Sequence, residues 1–349
     1  MKKVYAIFAI IATLAACSNP LPIAGPVYQP EPVPKLKNVF LFIGDGMSFA
    51  HIAATEAFLA SESDIGVGNV SLSFTQFPVM GMATTYSANS YITCSSAAAT
   101  ALSTGVKINN GMLGIDPSGN FLRSIAFDLK DAGYRIGIAT TVSMDHATPA
   151  AFYANEMSRD NYYAIASQVA PSNFDFFAGE EFLDPGDVYE KLSEAGYSIA
   201  RTNEDLALPS QKMLMVQGNW TLADFTRTGI ERLDNPQGFF FMIEGGKIDW
   251  ASHDNDAAGM IRETIGFSQA VAVAVDFYKN NPSETLIIIT ADHGTGGIAL
   301  LNNGEYGWST KGHTGEAVPV FAIGIGSELF AGKMDNTDIP KRIMELSKR

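Results

Sequence analysis

Four short apolar runs each end at a residue that can bind a cation, and this constrains the fold more than any other feature of the chain. "NVFLFIG" (38–44) runs into Asp45, and "YRIGIATT" (134–141) is followed by His146 and Thr148. "GFFFMIEG" (238–245) carries Glu244 near its end, and "TLIIITA" (285–291) runs into Asp292 and His293. Runs that are apolar nearly throughout suit strands covered on both faces, as in a parallel sheet between helices. "VPVFAIG" (318–324) is a fifth strand of that kind. Helices are expected at Ser95–Thr104, 121–133, 184–196 and 260–280, with Gly133 and Gly196 where helix ends favour glycine. The alternation predicts an α/β fold with a largely parallel sheet. Ligands of such sheets gather outside the carboxyl ends of the strands, so the polar residues would converge on one rim.

The chain has 349 residues and a formal charge of −14. A protein this acidic gains nothing from counterion release, which argues against a nucleic-acid partner. An anionic substrate would need a strong local positive centre, such as metal ions, to overcome that field. The first residues, "MKKVYAIFAIIATLAAC", join two lysines to an apolar run too short to span a membrane comfortably. The run ends in Leu14-Ala15-Ala16-Cys17, which resembles the lipobox of bacterial lipoproteins. That resemblance implies a signal peptide at 1–16, lipidation of Cys17, and an exported protein held to the cell envelope, periplasmic or cell-surface, by lipid alone. A proline-rich tether is expected at 17–36, and a single catalytic domain at 37–349. The one other cysteine, Cys94, would then lack a disulfide partner.

Of the five histidines, three have carboxylate or loop surroundings that a metal could use. Asp249 and His253 in "IDWASHDND" are four apart, so on a helix both leave the same face. Asp292 and His293 are adjacent at a strand end, where a loop can turn both inward. His313 lies in the glycine-bracketed "KGHTGEAVP". Imidazoles and carboxylates without thiolates favour Zn²⁺ in the catalytic style. His51 has no carboxylate at metal spacing and reads as helical and structural. "YITCSSAAATALSTG" (91–105) adds a candidate nucleophile at a helix start, where serine is a favoured N-cap. Its backbone N–H groups would attract an anion. Periodicity alone does not choose between Ser95 and Ser96.

Six motifs, in order, resemble those of the alkaline phosphatase family: "NVFLFIGDGM", "YITCSSAAATALSTGVKINNGMLGID", "HATPAAFYANEMSR", "IEGGKIDWASHDN", "TADHGTGG" and "KGHTGEAVPV". They span about Lys37 to Gly324. The resemblance implies a three-layer α/β/α sandwich, a homodimer, and a phosphate monoester hydrolase working through a covalent phosphoserine. It implies two Zn²⁺ and one Mg²⁺, a pair of zincs about 4 Å apart serving the attacking and leaving oxygens. Asp249, His253 and His313 match the ligands of the first zinc, and Asp292 and His293 those of the second. Asp45 matches the carboxylate shared with magnesium, and Thr148 and Glu244 the remaining magnesium ligands. Arg159 matches the phosphate-gripping guanidinium, and Ser95 the phosphorylated serine.

The chain departs from the family pattern in places. Sulfatases of the superfamily use a modified cysteine followed by Pro and Arg, and "CSSAAAT" has neither. Cys94 stands where well-known bacterial members have an aspartate that anchors the arginine, so Arg159 is expected to be less tethered. His146 and Trp250 replace an aspartate and a lysine of some members. An imidazole ligand at 146 would favour Zn²⁺ or Co²⁺ at the third site; the other reading of His146 is a hydrogen-bonding neighbour of that site. Trp250 reads as packing or as a stacking surface near the phosphate. The competing functions are a phosphodiesterase of the same superfamily and a lipoprotein that binds metal or phosphate without turnover.

Overall fold

A computed structural model describes residues 35–348 except 64, 65, 67, 217 and 303. The leader at 1–16, Cys17 and the tether as far as 34 lie outside the described residues. The tether ends sooner than the sequence suggests. Leu36 is fully buried, and the Tyr134 hydroxyl donates to its carbonyl at 2.6 Å. The apolar side chain of Leu36 therefore belongs to the domain.

Fourteen strands are present among the described residues. They are β1 Asn38–Gly44, β2 Val79–Thr84, β3 Arg135–Ser143, β4 Phe176–Glu180, β5 Tyr197–Ala200, β6 Lys212–Val216 and β7 Phe239–Gly245. Then come β8 Thr285–Thr290, β9 Gly294–Thr295, β10 Ile298–Leu300, β11 Tyr306–Trp308, β12 His313–Thr314, β13 Val318–Gly324 and β14 Gly332–Asp335. Ten form one sheet in the order β14-β2-β13-β8-β1-β7-β3-β4-β6-β5. All its pairings are parallel except those of β13 with β8 and β2.

The sheet is covered on both faces because its strands point large apolar groups both ways. Phe40 and Phe42 of β1 meet Phe277 and Phe267 of the helix Ala257–Asn280, at 5.7 and 5.8 Å between ring centroids. One residue along β7, Phe240 points to the opposite face and stacks on Phe152. Truncating one such buried phenylalanine typically costs about 3–5 kcal/mol, so the central strands form a stiff base. The expected three-layer α/β/α arrangement is the one observed.

Helix boundaries shifted where turn chemistry outweighs apolar content. The helix expected at 121–133 occupies Ile125–Asp131, because Ser124 caps it and Phe121 instead bridges to Ile115. The one expected at 184–196 occupies Val188–Glu194, and the one expected at 260–280 starts earlier, at Ala257, capped by Asp256. Ser95–Thr104 is helical as expected, but its N-cap is Cys94 and Ser95 is the first helical residue.

The topology places the rim. Strands β8, β1, β7 and β3 are consecutive neighbours, and Thr290, Ile43, Glu244 and Thr140 lie in one row across them. The segments leaving these four strands therefore emerge side by side. Because β13 runs against β8, with Val320 beside Thr290, its leading end lies at the same rim. That brings in His313. Strand β2 runs against β13 and leaves the sheet there too, feeding the segment that reaches Ser95.

Candidate functional site

Three groups of side-chain atoms of ligand type lie on this rim, each with its atoms within 4.8 Å of one another: Asp249, His253 and His313; Asp45, Asp249 and His293; Asp45, His146 and Glu244. In the first, the helix Lys247–His253 carries Asp249 and His253 on one face, with Oδ2 and Nε2 3.3 Å apart. His313 brings its own Nε2 to 3.2 Å from that of His253. Both rings are turned by backbone acceptors. His253 Nδ1 donates to the Lys311 carbonyl, and His313 Nδ1 donates to that of Thr93 at 2.9 Å. Each neutral ring then has its lone pair on Nε2, so two lone pairs and a carboxylate face one point. Such an arrangement is stable only around a cation or a proton. The Asp249 hydrogen bond, against the effect of burial, raises His253 to about 9, which is the proton's claim on that point.

In the second group, His293 Nε2 is 3.5 Å from Asp45 Oδ1 and 3.1 Å from Asp292 Oδ2. Asp292 turns inward after β8 because its Oδ1 accepts from the Gly46 and His293 amides at 3.1 and 2.9 Å. Among the described residues no hydrogen bond reaches its buried Oδ2, either oxygen of Asp45 or one oxygen of Glu244. In the third group His146 Nδ1, and beside it the Thr148 hydroxyl, are likewise buried with no hydrogen bond among the described residues. Thr140 donates to the other oxygen of Glu244.

The electrostatics say the same. Burial, then the neighbouring Asp292, Asp249 and Glu244, push Asp45 well above the usual carboxylate range. Burial pushes Glu244 to about 8 and Asp292 to about 6, with Asp249 adding to both. Burial alone would raise Asp249 too, but its bonds from His253 and Thr295 and the nearby His293 hold it below the usual range. Burial lowers His293 and His313 to about 4, keeping them neutral, the form that binds metal. Adjacent buried carboxylates with orphaned oxygens need positive charge. The donor set therefore fits metal ions.

Ser95 is 2% exposed, and its Oγ lies 3.3 Å from His293 Nε2. Ser96 Oγ points elsewhere, to Cys94 Sγ at 3.1 Å. The structure separates the two serines, where periodicity does not. Cys94 is half-buried; its Sγ also accepts from the Gly111 amide at 3.2 Å. Among the described residues it makes no hydrogen bond to Arg159. Two other contacts hold Arg159: its amide donates to the Gly111 carbonyl at 2.8 Å, and its Nη2 donates to His146 Nε2 at 3.2 Å. The expected loss of an anchor at position 94 is thus offset from position 146. Burial, then the Arg159 charge, lowers His146 to about 3, so the ring is a neutral acceptor. While Nε2 accepts from arginine, the ring proton sits on Nδ1, which then has no lone pair for a metal. His146→Ala should therefore raise KM and weaken inhibition by inorganic phosphate more than it changes kcat. Steady-state kinetics with phosphate as inhibitor checks this; a pure kcat loss would contradict it.

Trp250 packs edge-on to His146 at 6.0 Å and borders a cleft of about 1030 Å³ with Trp220 and Lys247. That cleft contains neither Ser95 nor Arg159. His51, expected to be structural, is fully buried. It accepts from Ser48 through Nδ1 and bonds Ser252 through Nε2, bracing the Lys247–His253 helix. Sequence reasoning missed Thr140 and Thr295; a hydroxyl two residues beyond Asp292-His293 was the available signal for the latter.

A sequence profile described as Alkaline phosphatase matches residues 36–175, 204–303 and 297–348. The chain is 29% identical to alkaline phosphatase 3 of Bacillus subtilis (strain 168), covering 89% of each chain. It is 27% identical to the alkaline phosphatase of Escherichia coli (strain K12), covering 87% of this chain and 84% of that one. The solved alkaline phosphatase of the Antarctic bacterium TAB5 superposes with a TM-score of 0.82 at 31% identity, covering 91% of this chain and 99% of that one. A cold-active alkaline phosphatase of Shewanella sp. gives 0.82 at 28% identity, covering 89% and 100%.

Proposed function

The chain belongs to the alkaline phosphatase family, whose members hydrolyse phosphate monoesters, and we propose that it does so through a covalent phosphoserine on Ser95. The observation that carries this reading is the Ser95 hydroxyl, 3.3 Å from His293 Nε2, at the edge of the orphaned carboxylates. Asp249, His253 and His313 would hold one zinc, and Asp292, His293 and Asp45 a second. Asp45, Thr148 and Glu244 offer hard oxygens suited to magnesium. The bond from Arg159 to His146 favours that oxygen set over an imidazole-bound third metal such as Zn²⁺ or Co²⁺. Two variants of the TAB5 enzyme, with a histidine changed to glutamate or aspartate, are solved with magnesium in a site called M3. Bound on this rim, the cations would supply positive charge where the serine loses its proton and the ester oxygen departs.

Arg159 presents a two-donor fork to the non-bridging phosphate oxygens. The N–H groups opening the Ser95–Thr104 helix, which no N-cap side chain accepts from, add to that pull. Ser95 Oγ bonds to phosphorus as the ester P–O bond breaks; the alcohol leaves with the electron pair and takes up a proton. Water then attacks phosphorus from the vacated side, the Oγ–P bond breaks, and phosphate leaves as Ser95 regains a proton.

Hydrolysis of p-nitrophenyl phosphate against its bis ester tests the substrate class. The monoester should be strongly preferred; faster diester cleavage would indicate a phosphodiesterase. Export and lipid anchoring at Cys17 are proposed from the Leu14–Cys17 pattern, placing the enzyme in the cell envelope. Cys17→Ser should move activity from the membrane to the soluble fraction, and activity that stays membrane-bound would count against the anchor. A homodimer is proposed on the family resemblance alone.

A further inference from the structure

One hydroxyl joins two of the three ligand groups. Thr295 is fully buried on β9, and its Oγ1 lies 2.5 Å from Asp249 Oδ1 and 3.2 Å from His293 Nδ1. A hydroxyl has one proton to give, and a carboxylate can only accept, so Thr295 donates to Asp249. Its lone pair then accepts the His293 Nδ1 proton. That leaves the lone pair of His293 on Nε2, the nitrogen facing Asp45, Asp292 and Ser95. The backbone of Thr295 adds a third tie, since β9 pairs with β12 and sets Thr295 opposite His313.

The surroundings leave room for this hydroxyl and little else. Gly46 has φ +71°, and a Cβ there would stand 2.7 Å from Thr295 Oγ1 and 3.0 Å from Asp249 Oδ1. The Thr295 amide donates to the Gly46 carbonyl at 3.1 Å. The loop carrying Asp45 is thus fitted against the threonine from both main chain and side chain. The third group, Asp45, His146 and Glu244, shares no hydrogen bond with Thr295 among the described residues.

We propose that Thr295 is a positioning residue, whose single hydroxyl orients Asp249 and fixes the ring proton of His293, and so sets two of the three metal sites but not the third. The proposal rests on the metal-centre reading above. It concerns metal affinity first and turnover only through it. Groups that orient a ligand in this way typically change metal affinity by about 10–100-fold when removed.

The test is titration of zinc into metal-stripped protein against a chromophoric chelator, with magnesium titrated separately. Thr295→Val keeps the shape and loses the hydroxyl; Thr295→Ser keeps the hydroxyl. The valine variant should bind both zinc equivalents about 10–100-fold more weakly and bind magnesium as the parent does. The serine variant should stay close to the parent. Unchanged zinc affinity in the valine variant would overturn the proposal, and so would a serine variant as impaired as the valine one. Equal loss of zinc and magnesium would mark a general packing defect and overturn it as well. If the parent protein itself took up no zinc, the metal-centre reading would fail first, and this proposal with it.

Discussion

Exchanging Ser95 for alanine should lower kcat on a phosphate monoester by on the order of 10⁴-fold, with KM within a few-fold of the parent. Among the described residues the Ser95 hydroxyl is the one held against His293 Nε2, at 3.3 Å, while Arg159 and the helix N–H groups proposed to bind phosphate remain in place. Binding should therefore survive and chemistry should not. Ser96→Ala is the matched control. Its hydroxyl lies against Cys94 Sγ at 3.1 Å, and removing it should change kcat by no more than about twofold. Stopped-flow or steady-state kinetics on both variants reads this directly. A Ser95→Ala enzyme with a large share of parent activity, or a Ser96→Ala enzyme as damaged as it, would place the nucleophile elsewhere.

Stripping the metals should abolish activity, by more than about 10³-fold, and should also make stability depend on pH in a particular direction. Without cations, Glu244 ionises near 8 and Asp292 near 6 in the folded chain, through burial first, and Asp45 is displaced the same way. In the unfolded chain these carboxyls ionise near 4. His253 is shifted upward too, to about 9, by its bond to Asp249. His146, His293 and His313 are shifted downward, so they are neutral in the folded chain, and above about pH 7.5 they are largely neutral in the unfolded one as well. Between about pH 7.5 and 9 the upward-shifted groups dominate the change in protonation on unfolding. The folded chain then holds more protons than the unfolded one, and stability falls as pH rises. The Tm of the chelated protein should drop across that window while that of the metal-loaded protein does not. A chelated Tm that stays flat or rises would mean that the rim carboxylates do not need the charge argued for them.

Much of the rim can be read directly in the chain. Asp45, Glu244, Asp292 and His293 stand out because the strands before them are buried on both faces and carry almost no other polar group. A polar residue ending such a run must be satisfied by something other than water. The Asp249–His253 spacing was legible because a helix turns that spacing into a shared face. What was hidden is mostly backbone. The carbonyls of Thr93 and Lys311 orient His313 and His253, and a carbonyl leaves no mark on residue identity. The reversal of β13, which brings His313 to the rim, depends on pairing between distant segments and not on the local pattern of "VPVFAIG". Strands β2, β4 and β6 leave little local signal because they are short and interrupted by glycine or flanked by loops. Cys94, and not a serine, caps the helix. Its main chain is held by Asn110 Oδ1, 3.0 Å from the Cys94 amide, so capping preference did not decide the boundary.

Intact-protein mass spectrometry of the metal-loaded enzyme, quenched after brief exposure to inorganic phosphate at low pH, tests the central claim most directly. A single phosphate adduct should form on the parent and on Ser96→Ala and be absent from Ser95→Ala. An adduct that persists in Ser95→Ala, or one lost in Ser96→Ala alone, would contradict the assignment of Ser95 as the residue that carries the phosphoryl group.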